Sequence, residues 1–342
     1  MPASIVHMLI AREVRTRIRR DPSLGCRSFL TNLPEYEACM NLGSLGPDLP
    51  YFSSRIKGIL NLVFERSDKP MGVDQWSYQM HSKDPNVFPL KMIEIIWKES
   101  AIEKEDWDEE DHRKFAFVCG YLTHMAADQV IHPVVNLIAG PYYKRGDARK
   151  KHRDCEVYQD VFAFGEIVKD RDFRLGGFNS WCDIAPGSSD NAPVWFRYLL
   201  QKAFVEAHAV MPAGRRIENW IDGTLVVLRF IARFGPYVTA YDALKDPESE
   251  KKKEYIDLVP PGDSPDDLLS MCGKVIGHKR YMDFFREAVD LACVYVEAAL
   301  RVYDLDELGD EDRAKFKAVV RNADLTAPLE ENLLSSALAA LG

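Results

Sequence analysis

Three side chains able to bind a metal or move a proton, His124, Asp128 and His132, stand four residues apart within FAFVCGYLTHMAADQVIHPVVN, residues 115–136. On a helix of 3.6 residues per turn, each step of four rotates a position by only about 40°, so the three form one stripe on an otherwise apolar rod. A lone histidine on such a face is most often a hydrogen-bonded core residue. Three groups in register fit that reading poorly, because burying an unpaired carboxylate costs several kcal/mol. A metal shared with flanking imidazoles removes the cost, and imidazole with carboxylate suits zinc. Gly120 lies one turn before His124, where a missing side chain admits another backbone. Pro133 is expected to end or kink the helix near His132, turning that ring toward a different site.

Five more ligand types recur along the chain. His7 opens an amphipathic helix over residues 5–19, with Ile5, Met8, Leu9, Ile10, Val14 and Ile18 apolar. Asp48 lies in the turn-rich NLGSLGPDLPYF, residues 41–52, on a backbone stiffened by Pro47 and Pro50. The plainer role for Asp48 is turn chemistry. His81 follows a polar, loop-like stretch over 65–80 and precedes a helix over 89–97. His152 and Glu156, at i and i+4 in KHRDCEVYQDVF, share a helix face. The plainer reading there is an exposed basic helix end, since Lys150, Lys151 and Arg153 surround the pair. Glu109 and His112 make an ExxH pair, but a di-iron site needs two such pairs, and only one is present. His112, His208 and His278 have no partner at ligand spacing. The remaining set suffices for two or three zinc ions with open positions for water.

The elements that must carry these residues are helices. After residue 140 come a loop over 140–146 and a Gly-, Ser- and Pro-rich surface loop over 175–193 that could cover the site. Helices follow over 194–210, 217–234 and 281–303. The stretch 245–267, KDPESEKKKEYIDLVPPGDSPDD, reads as a mobile charged linker. No repeat and no β-alternation appears, so the fold class is all-α. Residues 1–170 are expected to form a metal-binding catalytic domain, with 171–342 a helical extension packed on it.

Composition narrows the function classes. Hydrophobic content is 46% and charged content 28%, which suits a globular protein with a sizeable core. The net charge of −9 argues against a stable nucleic-acid partner. No stretch of eighteen apolar residues spans a membrane, and no signal peptide opens the chain. Seven cysteines, odd in number and without a CxxC, indicate reduced thiols and a cytoplasmic protein.

In order, His7, the loop Gly43–Asp48, His81, GYLTHMAADQVIHP and HRDCE resemble the zinc-dependent phospholipase C family, which shares its fold with S1/P1-type nucleases. The resemblance covers roughly residues 1–165. It implies a helical domain holding a cluster of zinc ions that hydrolyses phosphodiesters. Carried over position by position, it implies Asp48, His81, His124 and Asp128 on one zinc, and His132, His152 and Glu156 on a second. His7 and a bridging Asp128 would hold the third, completed by the chain's terminal amine or by water. Asp48 would also face the attacking water. Secreted members begin with a processed Trp, whereas this chain begins Met1-Pro2. The gaps before His81 and His152 are also longer here.

The expected activity is therefore metal-dependent hydrolysis of a phosphodiester, in a small molecule or a phospholipid headgroup. Two rivals stand beside it. One is an S1/P1-like nuclease or nucleotidase, with Tyr142, Tyr143, Trp181 or Trp195 as a base-stacking platform. The other is a non-catalytic helical protein stapled by its metals.

Overall fold

The computed structural model describes residues 4–20, 34–53, 75–100, 107–139, 147–169, 171–258, 279–305 and 308–323. The fold is all-α, with no strand among those residues. The helices, in chain order, are α1 (Ser4–Arg20), α2 (Pro34–Gly43), α3 (Gln75–Ser82), α4 (Val87–Glu99), α5 (Glu109–Ala139) and α6 (Asp147–Ile167). They continue as α7 (Val194–His208), α8 (Gly214–Phe230), α9 (Gly235–Ala243), α10 (Glu250–Tyr255), α11 (Tyr281–Tyr303) and α12 (Asp310–Val319). A 3₁₀ helix, Gly46–Phe52, follows α2.

The axis is α5. Its start is set by Asp108, whose carboxylate accepts the Asp111 amide at 2.9 Å, and by Glu109, Glu110 and Asp111 in the first turn, where negative charge meets the positive helix end. Almost every residue from Phe115 to Ile131 is buried. A helix apolar all round needs cover on every side. It is covered by α2, α11, α1, α6 and α4. α11 contributes the apolar face of Phe284, Phe285, Ala288, Val289, Ala292, Val296 and Leu300, all buried. Buried side chains from both halves of the chain form one continuous core.

Several expectations change here. Pro133 does not end the central helix: α5 runs six residues further, to Ala139. Proline removes one backbone hydrogen bond, and the buried Val134, Val135 and Ala139 hold the last turns by packing. The loop-like stretch before His81 contains α3, stabilised by the burial of Trp76, Met80 and His81. The surface loop over 175–193 is folded into 3₁₀ turns (Phe173–Leu175 and Phe178–Trp181) whose Phe173 and Phe178 are buried. It lies against α2 and α1: Asn41 Nδ2 donates to the Trp181 carbonyl at 2.9 Å, and Cys182 Sγ approaches Met8 Sδ at 3.3 Å. The stretch read as a linker from 245 carries α10, with Tyr255 fully buried and Lys151 paired to Glu254 at 2.5 Å. Residues 259–267 lie outside the described residues, as do Tyr142, Tyr143, His278 and the first three residues. No helix among the described residues is long and apolar enough to cross a membrane. Five cysteines among them are unpaired, and all but Cys293 are buried.

Candidate metal centre

Five elements converge on one buried cluster. α1 supplies His7, the 3₁₀ helix Asp48, α3 His81, α5 His124, Asp128 and His132, and α6 His152 and Glu156. The convergence depends on a close crossing of α2 over α5. A Cβ on Gly120 would lie 2.0 Å from the Met40 carbonyl oxygen and 2.8 Å from the Ser44 amide nitrogen. A Cβ on Gly43 would meet Phe117 O at 2.0 Å. Only glycine on both sides permits this approach, which brings the Ser44 carbonyl within 2.9 Å of His124 Nδ1.

Asp128 is the hub. Its Oδ2 lies 3.1 Å from His124 Nε2 and 3.6 Å from His81 Nε2; its Oδ1 lies 3.2 Å from His132 Nε2 and 3.4 Å from His7 Nε2. Asp48 Oδ1 stands 3.3 Å from His81 Nε2. At the other end Glu156 Oε1 stands 3.2 Å from His152 Nε2 and 3.8 Å from His132 Nε2. His132 thus stays on the stripe, between Asp128 and Glu156, because α5 continues through Pro133. Three groups of ligand atoms are compact enough to hold an ion: His7, His124 and Asp128; Asp48, His81 and His124; and His132, His152 and Glu156.

The hydrogen bonds set the tautomers. His81 Nδ1 lies 2.8 Å from the Ser77 carbonyl and His124 Nδ1 2.9 Å from the Ser44 carbonyl. Carbonyls only accept, so each Nδ1 carries the hydrogen and, in a neutral ring, each Nε2 presents a lone pair. Those two Nε2 atoms face each other at 3.3 Å. Two lone pairs at that distance, beside two carboxylates, call for a cation between them. The oxygens give the same answer. Both oxygens of Asp48, Oδ1 of Asp128 and Oε2 of Glu156 are buried with no hydrogen-bond donor in suitable geometry. Imidazole nitrogens with orphaned buried carboxylates are a donor set that fits zinc.

Titration follows the same logic. Burial works to raise the Asp128 carboxyl, but the His124 and His132 rings outweigh it and hold it well below the usual range. Asp48 is likewise lowered, by His124 and His81 against burial. Burial opposes a charge on His132, yet Asp128 and Glu156 push its pKa up to about 9. His7 is the reverse. Burial, reinforced by His124 stacked on it at 4.2 Å, brings it down to about 3, so its ring is neutral and ready to coordinate. Without an ion the carboxylates draw protons onto the rings, and a bound metal would displace them.

His152 and Glu156, exposed on the plainer reading, are buried. His112 sits apart from the cluster, 3.2 Å from the Tyr303 hydroxyl, and His208 stacks on Phe88. Trp181 packs on Phe164 and Phe178, and Trp195 on Phe196. Tyr51 lies beside the cluster, with its ring 6.3 Å from that of His81. Ser44 and Ser77 leave no mark in the sequence pattern, because they act through backbone carbonyls that every residue possesses.

A family model described as zinc dependent phospholipase C matches residues 6–202, more than half of the chain. The chain belongs to this family. No curated protein and no solved structure matches it. The zinc-dependent phospholipase C match includes all eight clustered residues and ends inside α7, so α8 to α12 lie beyond it.

Proposed function

We propose that the protein is a zinc-dependent hydrolase of phosphodiester bonds, with two or three metal sites joined by Asp128. The observation that carries this reading is Asp128 itself: one buried carboxylate meets four imidazole nitrogens, two on each oxygen. His81, His124 and Asp48 would hold one ion with Asp128. His132, His152 and Glu156 would hold a second, and His7 with Asp128 a third. Zinc, when bound there, supplies Lewis acidity that offsets phosphate charge and lowers the pKa of water.

The chain's own groups supply the rest. Asp48, with both oxygens free of donors, can accept the proton of an attacking water or orient it. His132 is the most exposed of the ligands, with 18% of its side chain accessible, so a substrate phosphate reaches the cluster from that side. This opening favours an enzyme over a metal staple closed on all sides. The substrate class is a phospholipid headgroup or a soluble diester.

The test is hydrolysis of bis(p-nitrophenyl) phosphate, expected to be abolished by chelator and restored by zinc. Asp48→Asn should retain most of its metal and lose most turnover. Full activity in that variant would reduce Asp48 to a turn residue. Short-chain phosphatidylcholine and a soluble diester, assayed in parallel, separate the two substrate sources.

A further inference from the structure

α1 has no acidic residue in its first turn. The first amides of a helix lack intrahelical acceptors and carry positive charge, and here they are buried beside His7. One acceptor for them comes from far along the chain. Asp160 Oδ1 accepts the Val6 amide at 2.8 Å, across 154 positions of sequence. Its Oδ2 accepts the Tyr237 hydroxyl at 2.8 Å. Asp160 is fully buried. Burial pushes its pKa up to about 8, against the pull of the Val6, Tyr237 and Ile5 donors.

The position of Asp160 on α6 gives this contact its meaning. His152, Glu156 and Asp160 stand at i, i+4 and i+8, one stripe drifting by about 40° per step. The first two face the metal centre and the third grips the start of α1. One rigid helix therefore sets both the His152–Glu156 end and, through Val6, the placement of His7 beside Asp128. Tyr237 lies on α9, beyond the segment matched by the family. It links the second half of the chain to this placement.

We infer that Asp160 is a positioning residue for the metal centre, holding the first turn of α1 so that His7 meets Asp128, with Tyr237 fixing its carboxylate. The inference rests on the proposed zinc centre. It adds the claim that the ion on His7 depends on a contact made by no metal ligand.

The experiment measures zinc per chain and stepwise zinc affinity, by competition with a chromophoric chelator, in the full chain, four single variants and one double variant. The single variants are Asp160→Ala, Asp160→Asn, Tyr237→Phe and His7→Ala. Asp160→Ala is expected to weaken the site built on His7 by about ten- to a hundredfold, as loss of a group that orients a ligand does, and to leave the tightest site unchanged. Asp160→Asn, which keeps an acceptor for the Val6 amide, should lose less, and Tyr237→Phe less again. The double variant His7→Ala/Asp160→Ala should bind zinc no more weakly than His7→Ala alone, because Asp160 acts through His7. Additive losses in the double variant would overturn the inference, as would equal weakening of every site in step with the thermal midpoint of the metal-free chain. If Asp160→Ala fails to fold, the two milder variants decide on the same criterion. Full zinc binding in the wild type with insensitive variants would remove the anchor alone. A wild-type chain without zinc would remove the metal centre and the anchor together.

Discussion

The two ends of the cluster are held by different means. At the Asp48 end the rings of His81 and His124 hydrogen-bond through Nδ1 to backbone carbonyls of Ser77 and Ser44. One of those carbonyls reaches its ring only because α2 and α5 touch backbone to backbone at Gly43 and Gly120. At the Glu156 end the contacts run between side chains of two helices, His132 on α5 with His152 and Glu156 on α6. The first end is held by backbone contacts. The second depends on the docking of α6, and His132 there is partly open to solvent. The cluster thus has one rigid end and one adaptable end, with Asp128 spanning both.

Asp128→Asn tests the span and is expected to have the largest effect. Loss of the bridging charge should remove more than one zinc equivalent per chain, read by elemental analysis after dialysis. An unchanged metal count would mean that the ends are independent. Gly120→Ala tests the rigid end. Its methyl would lie 2.0 Å from Met40 O, so the two helices must part. The expected loss is about 3 kcal/mol in denaturant unfolding, with weakened zinc binding at the Asp48 end. A variant as stable as the wild type would refute the backbone contact.

Glu156→Gln tests the adaptable end. One zinc equivalent should go while the Asp48 end keeps its own. The metal-free chain should lose thermal stability, because His132 loses one of the carboxylates that hold its proton. A fall in both metal ends would show that the two are coupled beyond Asp128.

The smallest effect is expected at a histidine outside the cluster, as a control. His208 is buried with neither ring nitrogen hydrogen-bonded, and burial brings its pKa down to about 4 from 6.5. The unfolded chain therefore binds the extra proton between those values, so this contribution to stability is present above about pH 6.5 and lost as pH falls toward 4. His208→Leu should flatten the decline of the thermal midpoint over that range relative to wild type. An identical slope in the two chains would show that His208 does not titrate in this way.

Much of this cluster is legible in the sequence. The i, i+4, i+8 stripe of His124, Asp128 and His132 follows from helix geometry alone, as does the pairing of His152 with Glu156. The span of α11, residues 281–303, could be read from its apolar repeat. What misled was local chemistry read without its neighbours. Pro133, by itself a signal to end or kink a helix, does not end α5, because packing around Val134 and Val135 outweighs one lost hydrogen bond. Lys150, Lys151 and Arg153 suggested an exposed helix end, but a helix has more than one face, and His152 turns inward from them. The segment 65–80 looked like loop because α3 is short and draws its stability from Trp76 packed on Phe204 and Trp220.

The helical class and the phase of the ligands along α5 and α6 follow from sequence periods of a few residues. Only the packed fold shows that the Ser44 carbonyl orients the His124 ring, that Gly120 faces Met40, and that Asp160 reaches back to the first turn of α1. Those contacts join residues tens to more than a hundred positions apart, through backbone atoms common to every residue. No local pattern can encode them; they exist only once the core has packed.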